Sequence, residues 1–169
     1  MLDTRKRERR KDAKLMENEI SNKIIGAAIE VHKTLGGPGL FESIYESSLC
    51  HELQLRGLQF QTQLIIPVKY KNAIVREPLC LDILVEKTVI IEVKATEKEH
   101  PIHSVQLLTY LRLTGIKLGL LINFGQEHVK NGIHRVVNGI SWRLSVFAFL
   151  SIYSHSMLIL ANEIVCIDI

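Results

Sequence analysis

The sequence predicts an α/β domain, and three observations carry the prediction. Apolar residues recur first at the helical period, then in short strand-like runs, and finally in one more helix followed by one more strand. Only 4 prolines and 10 glycines interrupt 169 residues that are 47% hydrophobic and 23% charged, which suits one packed core and excludes disordered and collagen-like chains. Cys50, Cys80 and Cys166 are scattered without CxxC spacing, so neither a disulfide framework nor a structural zinc site is expected. A reducing, cytoplasmic compartment fits that cysteine usage best.

The elements follow in order. Residues 1–16 form a basic arm with Arg5, Lys6, Arg7, Arg9, Arg10, Lys11 and Lys14. The arm holds seven of the 21 basic side chains and three of the 18 acidic ones, leaving the rest of the chain with one net negative charge. Such an arm can hold phosphates by releasing their counterions, although most basic runs are simply solvated. It lacks the apolar stretch of a secretory signal, and none is expected.

Residues 17–140 form the domain proper. From Glu17 to Leu35, Ile20, Ile24, Ala27, Ala28, Val31 and Leu35 fall on one helical face, and Gly36-Gly37 ends the helix. A second helical pattern starts at Leu40 or Phe41, passes through Ile44, Tyr45, Leu49 and Leu53, and closes at Gly57. Three strands are expected next, Leu64 to Tyr70, Leu79 to Val85 and Thr88 to Ala95, joined as a meander by turns at Lys71-Asn72 and Glu86-Lys87. His103 to Thr114 returns to helical spacing, Gly115 stops it, and Leu118 to Phe124 reads as a buried strand. Residues 141–169 are an apolar extension in which Leu144 to Asn162 carries no Asp, Glu, Lys or Arg. That approaches the roughly 20 residues of a membrane span. Four serines and His155 argue against a span, so packing on the domain or on a partner is expected, with homodimerisation favoured by an exposed apolar patch.

Polar residues stand out inside the strands. Asp82 interrupts an apolar run, and Glu92 and Lys94, two apart on the next strand, share a face. A buried Glu-Lys ion pair is the simplest reading of such spacing. Asp82 changes it, because two carboxylates meeting on one face repel unless a cation lies between them, and a hard ion such as Mg²⁺ suits oxygen donors. For Asp82 to share the face of Glu92, the connection must be of odd length or contain a bulge. Gln106 and Tyr110, four apart, lie on one face of the third helix with His103. Glu42 falls near the apolar stripe of the second helix and needs a partner, whereas Glu46 and Glu52 are expected in solvent. Six of the seven histidines, at 32, 51, 100, 103, 128 and 134, show no metal-ligand spacing. Neither a G-x-S-x-G nor a G-K-[ST] motif is present.

An Asp on one strand, E-x-K on the next and Q-x-x-x-Y on a helix together resemble the PD-(D/E)xK nuclease superfamily, its RecB-like and lambda-exonuclease-like branches most closely. The chain resembles further a family named for its GxxExxY signature, here Gly39-Leu40-Phe41-Glu42-Ser43-Ile44-Tyr45. Residues 24–32, 106–112 and 119–124 match that family's opening helix, later helix and last core strand. The resemblance implies a restriction-endonuclease-like core of αβββαβ order, a central mixed sheet flanked by helices. It implies a metal-dependent nuclease acting on nucleic acid, DNA before RNA, with Mg²⁺ as cofactor and Mn²⁺ as a substitute. Asp82 and Glu92 would then ligate the metal, with Glu42 completing or orienting its shell. Lys94 would position the attacking water, and Gln106 and Tyr110 would support the lysine and the substrate phosphate. The competing expectation is a non-catalytic nucleic-acid-binding or regulatory protein that keeps the same fold.

Overall fold

A computed structural model of the chain describes residues 2–71, 73–74 and 78–139. The apolar extension, and with it the expectation of dimerisation, lies outside the described residues. Helix α1 spans Leu2–Thr34, so it begins inside the basic arm and not at Glu17. Residues 2–16 contain neither Gly nor Pro and are rich in Arg and Lys, both good helix formers, yet they show no apolar period, and the described side chains among them are exposed. From Ile20 onward the helix buries Ile24, Ala27, Ala28 and Val31. It stops where Gly36 and Gly37 take positive φ and the Gly37 N–H donates back to the His32 carbonyl at 2.9 Å.

Helix α2, Glu42–Leu55, buries Tyr45, Leu49 and Leu53. Strand β1, Phe60–Ile66, starts and ends four residues earlier than expected. Pro67 cannot donate to a ladder, and the residues after it form a separate hairpin of β2, Lys69–Tyr70, and β3, Ala73–Ile74. Strands β4, Leu79–Val85, and β5, Val89–Lys94, lie where the pattern placed them. Helix α3, Ile102–Thr114, ends at Gly115 with φ 71° and leads into β6, Leu118–Asn123. A short 3-10 helix, Val129–Gly132, and an edge strand β7, Ile133–Val137, complete the domain and were not anticipated.

The five-stranded sheet has the order β1-β4-β5-β6-β7. All neighbours are antiparallel except β5 and β6, whose parallel pairing needs a crossover, supplied by α3. Helices α1 and α2 cover one face through a core that includes Ile83, Val85, Ile91, Val93, Leu120 and Ile122. Helix α3 covers the other, where Leu107, Tyr110 and Leu111 meet Leu81, Leu84, Ile90 and Leu121. A central mixed sheet with helices on both faces is the restriction-endonuclease-like arrangement. Among the described residues no helix is long and apolar enough to cross a membrane.

Candidate active site

Strands β4 and β5 pair as Val85↔Val89, Leu84↔Ile90 and Ile83↔Ile91. Their connection is the three residues Glu86, Lys87 and Thr88, the odd length that directs Asp82 and Glu92 to one face. Glu86 and Lys87 both take left-handed φ, 50° and 54°, so the hairpin turn twists with the strands. Beyond Ile83 the ladder changes hands. The Asp82 Oδ2 accepts the Val93 N–H at 2.8 Å, tying the carboxylate to the residue next to Glu92. Side-chain alternation also breaks there, since Leu81 packs under α3 while Ile83 packs under α1 and α2. Opposite Asp82 on β1, Gln63 takes φ 52°, a left-handed kink in mid-strand of the kind that re-aims a side chain.

Glu92 is 2% exposed. Its Oε1 accepts the Lys94 ammonium at 2.9 Å, while its Oε2 has no hydrogen-bond partner among the described residues. Lys94 spends its other protons on the Val93 carbonyl at 2.8 Å and on Glu42 Oε1 at 3.5 Å. One ammonium therefore stands among several carboxylates. Burial for the acids and the surrounding carboxylates for the lysine raise the proton affinity of both. Burial pushes Glu92 up to about 7, the Asp82 charge adding to it and Lys94 opposing. Burial also raises Asp82, against the Val93 N–H bond and Lys94, with Glu46 and Glu42 reinforcing the rise. Burial would lower Lys94, but the bond to Glu92 and the charges of Glu92, Glu42 and Asp82 outweigh it and the net shift is upward.

The loop before α2 shows why Gly39, Glu42 and Tyr45 occur together. Gly39 takes φ 110°, and Tyr45, wholly buried, donates its hydroxyl proton to the Gly37 carbonyl at 2.7 Å and accepts the Leu40 N–H at 3.3 Å. Its ring stacks on Phe124 at 4.6 Å, beyond the end of β6. Tyr45 thus fastens the turn that presents Glu42, the first residue of α2, to Lys94. The exit of β5 is fixed as firmly. The Phe124 N–H donates to the Lys94 carbonyl at 2.7 Å, and buried Asn123 bonds both the N–H and the carbonyl of Thr96.

Across the sheet, the Gln106 amide donates to the Tyr110 hydroxyl at 2.6 Å, leaving the phenol proton available. Burial raises Tyr110, with Gln106 opposing and the charges of Glu92 and Asp82 adding to the rise. The structure therefore brings Asp82, Glu92, Lys94, Glu42, Gln106 and Tyr110 around the same end of β5. Glu46, expected in solvent, is half-buried and accepts the Gln63 amide at 2.8 Å, its charge reaching Asp82. Glu52 is likewise not free in solvent, pairing with Arg56 at 2.8 Å. Sequence reasoning missed Glu46 and Gln63, and the one signal available was that Glu46 follows Glu42 by a single helical turn.

A divalent cation fits this donor set on two observations. Glu92 Oε2 is a buried carboxylate oxygen without a partner among the described residues, and three carboxylates, Glu42, Asp82 and Glu92, share one ammonium, with Glu46 adding its charge at Asp82. The Lys94 ammonium bridges Glu92 and Glu42, and among the described residues no three acidic, His or Cys side chains form a ready-made cage.

Comparison with known proteins agrees with the geometry. The family model of the PD-(D/E)XK nuclease superfamily matches residues 18–136, which include all six of these residues. No curated protein and no solved structure matches the chain. With one model spanning most of the chain, and the Asp-then-E-x-K arrangement assembled on adjacent strands, this chain belongs to the PD-(D/E)XK nuclease superfamily.

Proposed function

We propose that this chain is a divalent-metal-dependent nuclease that hydrolyses phosphodiester bonds, with DNA the first choice of substrate and RNA the second. The observation that carries the reading is the buried Glu92 beside Asp82 and Lys94, one of its oxygens unpartnered in an excess of negative charge. Nucleases of this superfamily generally use divalent metal ions. Here Asp82, Glu92 and Glu42 would hold the ion, Mg²⁺ first and Mn²⁺ as its substitute. When bound it supplies a Lewis acid toward the phosphate oxygens and the attacking water.

The remaining work falls to the chain. Lys94 keeps a cation beside the reacting phosphate, where negative charge grows as water adds to phosphorus and the P–O bond breaks. Glu42 and Glu92 hold that ammonium in place, and the bond between Phe124 and the Lys94 carbonyl fixes its backbone. Gln106 orients the Tyr110 hydroxyl so that its proton can be given to a phosphate oxygen. The basic first half of α1 offers further phosphate contacts. Within the superfamily, Gly39, Glu42 and Tyr45 support placement in the GxxExxY family. The free thiols Cys50 and Cys80 suit a cytoplasmic protein.

The test is cleavage of linear, circular, single- and double-stranded DNA and RNA with Mg²⁺, Mn²⁺ or EDTA, comparing wild type with Asp82→Ala and Lys94→Ala. Metal-dependent cutting that both substitutions abolish is the expected result. Binding without cutting on every substrate, by a folded wild type, would replace this reading with that of a non-catalytic nucleic-acid-binding protein.

A further inference from the structure

Beside Lys94 a cavity of about 70 Å³ opens between the first turn of α3 and the strands β6 and β7. Its lining includes Lys94, Glu99, His100, His103, Ser104 and His134. Three histidines that the sequence scatters over 35 residues thus meet at one place, and nothing in the cleavage chemistry uses them. Their hydrogen bonds define what the cavity can hold. The His100 Nδ1 accepts the Ile102 N–H at 3.2 Å, which leaves Nε2 as the ring's N–H donor. The His103 ring and the Ser104 hydroxyl make no hydrogen bond among the described residues, and each carries a donor. Glu99 is the one acid in the lining, and His134 Nε2 lies 2.9 Å from it, so that charge is engaged.

The chemistry of this lining favours an anion. Backbone N–H groups of the first turn of α3 are already taken by the His100 ring and by the carbonyls of His100 and Pro101, so side chains must do the binding. A transition metal would find few free donors here, because the His100 Nδ1 and Glu99 are already engaged by the Ile102 N–H and by His134. Burial lowers the His103 pKa, and the positive charges of Lys94 and His100 lower it further, with Glu42 opposing. Lys94 and His100 are thus the two cations that bear on His103. Lys94 is common to both places, since it bridges Glu92 and Glu42 and also lines the cavity.

We propose that His100, His103 and Ser104, in the field of Lys94, form a binding site for a non-scissile phosphate of the nucleic-acid strand, next to the phosphate that is cut. The proposal rests on the nuclease reading and extends it. The ligand is either an internal phosphodiester or the terminal phosphomonoester of a strand end, and both present the same acceptor oxygens.

The test measures oligonucleotide affinity by fluorescence anisotropy, with Ca²⁺ in place of Mg²⁺, for wild type, His103→Ala, His103→Gln and the distant His51→Ala. One set of oligonucleotides carries a neutral methylphosphonate at successive positions, and another has its 5′- or 3′-terminal phosphate removed. The site predicts a penalty of about tenfold in Kd for one modification in wild type, absent in His103→Ala, partly kept in His103→Gln and unchanged in His51→Ala. A penalty from an internal methylphosphonate identifies the phosphodiester, and one from end removal identifies the phosphomonoester. Equal penalties in wild type and His103→Ala overturn the site, whatever the nuclease activity. Titration of inorganic phosphate, followed by imidazole NMR, separates the two ideas. Saturable shifts at His100 and His103 without any oligonucleotide binding would keep the anion site and refute the nuclease reading. Absence of both responses would refute both.

Discussion

Glu92 should make the metal-free protein less stable as pH rises through neutrality. Its pKa is raised from an ordinary 4.5 to about 7 in the folded chain, so between those values the native state binds more protons than the unfolded one. Stability is therefore fully present below about 4.5 and is lost as pH climbs past about 7. At about 1.4 kcal/mol per unit, the shift corresponds to a loss of roughly 3 kcal/mol. Asp82, raised by the same burial, adds to the loss at the acidic end of the window. The lowered His103 opposes it just below 6.5. Comparison with Glu92→Gln isolates the glutamate. Urea denaturation in EDTA at pH 5, 6, 7 and 8 should show wild type losing stability across the series and Glu92→Gln losing far less, with the variant the more stable at pH 8. Saturating Mg²⁺ should flatten the wild-type dependence by stabilising the ionised carboxylates. A wild type whose stability is constant or rises over this range, or a Glu92→Gln variant with the same slope, would refute the charge argument.

Four further outcomes follow from named contacts. Lys94→Met should lower metal-dependent cleavage by about 10²-fold or more while Mn²⁺ binding, read by calorimetry, survives, since the ammonium acts on the phosphate and not as a ligand. Tyr45→Phe removes the hydroxyl that joins Gly37 to Leu40, and should cost about 1–2 kcal/mol in urea denaturation and weaken metal binding through Glu42. Glu46→Gln keeps an acceptor for Gln63 but deletes a charge that bears on Asp82, so Mn²⁺ affinity should fall by several-fold with little change in stability. Gly125→Ala would drive a Cβ into the Thr96 backbone where the β5 and β6 exits meet, and should destabilise the fold by about 1–3 kcal/mol in the same denaturation assay.

The strands that bury both faces were legible in the sequence, and the strands at the edges were not. β4, β5 and β6 are continuous apolar runs, so a single polar residue within them, Asp82 or Glu92, announces itself. β1 is an edge strand whose Gln61, Thr62 and Gln63 are all exposed, and β7 is half-exposed along its length, so neither shows the alternation that marks a strand. The expected first strand instead ran across Pro67 into the small hairpin. The helix start was misplaced for a similar reason, since an exposed helix of charged residues has propensity but no apolar face. In the site, Asp82, Glu92 and Lys94 could be related through strand spacing alone. Glu46 and Gln63 could not, because their contact spans 17 residues and depends on a left-handed residue that no composition rule places there. The three histidines around the cavity come together only through the α3 crossover and the unanticipated β7.

The chain separations of the site's contacts also set the order in which it can assemble. Asp82 reaches Val93 across 11 residues of hairpin, whereas Lys94 reaches Glu42 across 52. Closing the longer span costs about 1–1.5 kcal/mol more chain entropy, and docking α3 requires the parallel strand pair to close as well. The acidic pair and the Lys94 bond to Glu92 are thus local products of one hairpin, while the Glu42 contact waits for α2 to dock and Tyr110 for α3. A chain that has formed only the β4–β5 hairpin holds the carboxylates and Lys94 without Glu42, Gln106 or Tyr110 around them, so the assembled site is a property of the docked helices as much as of the strands.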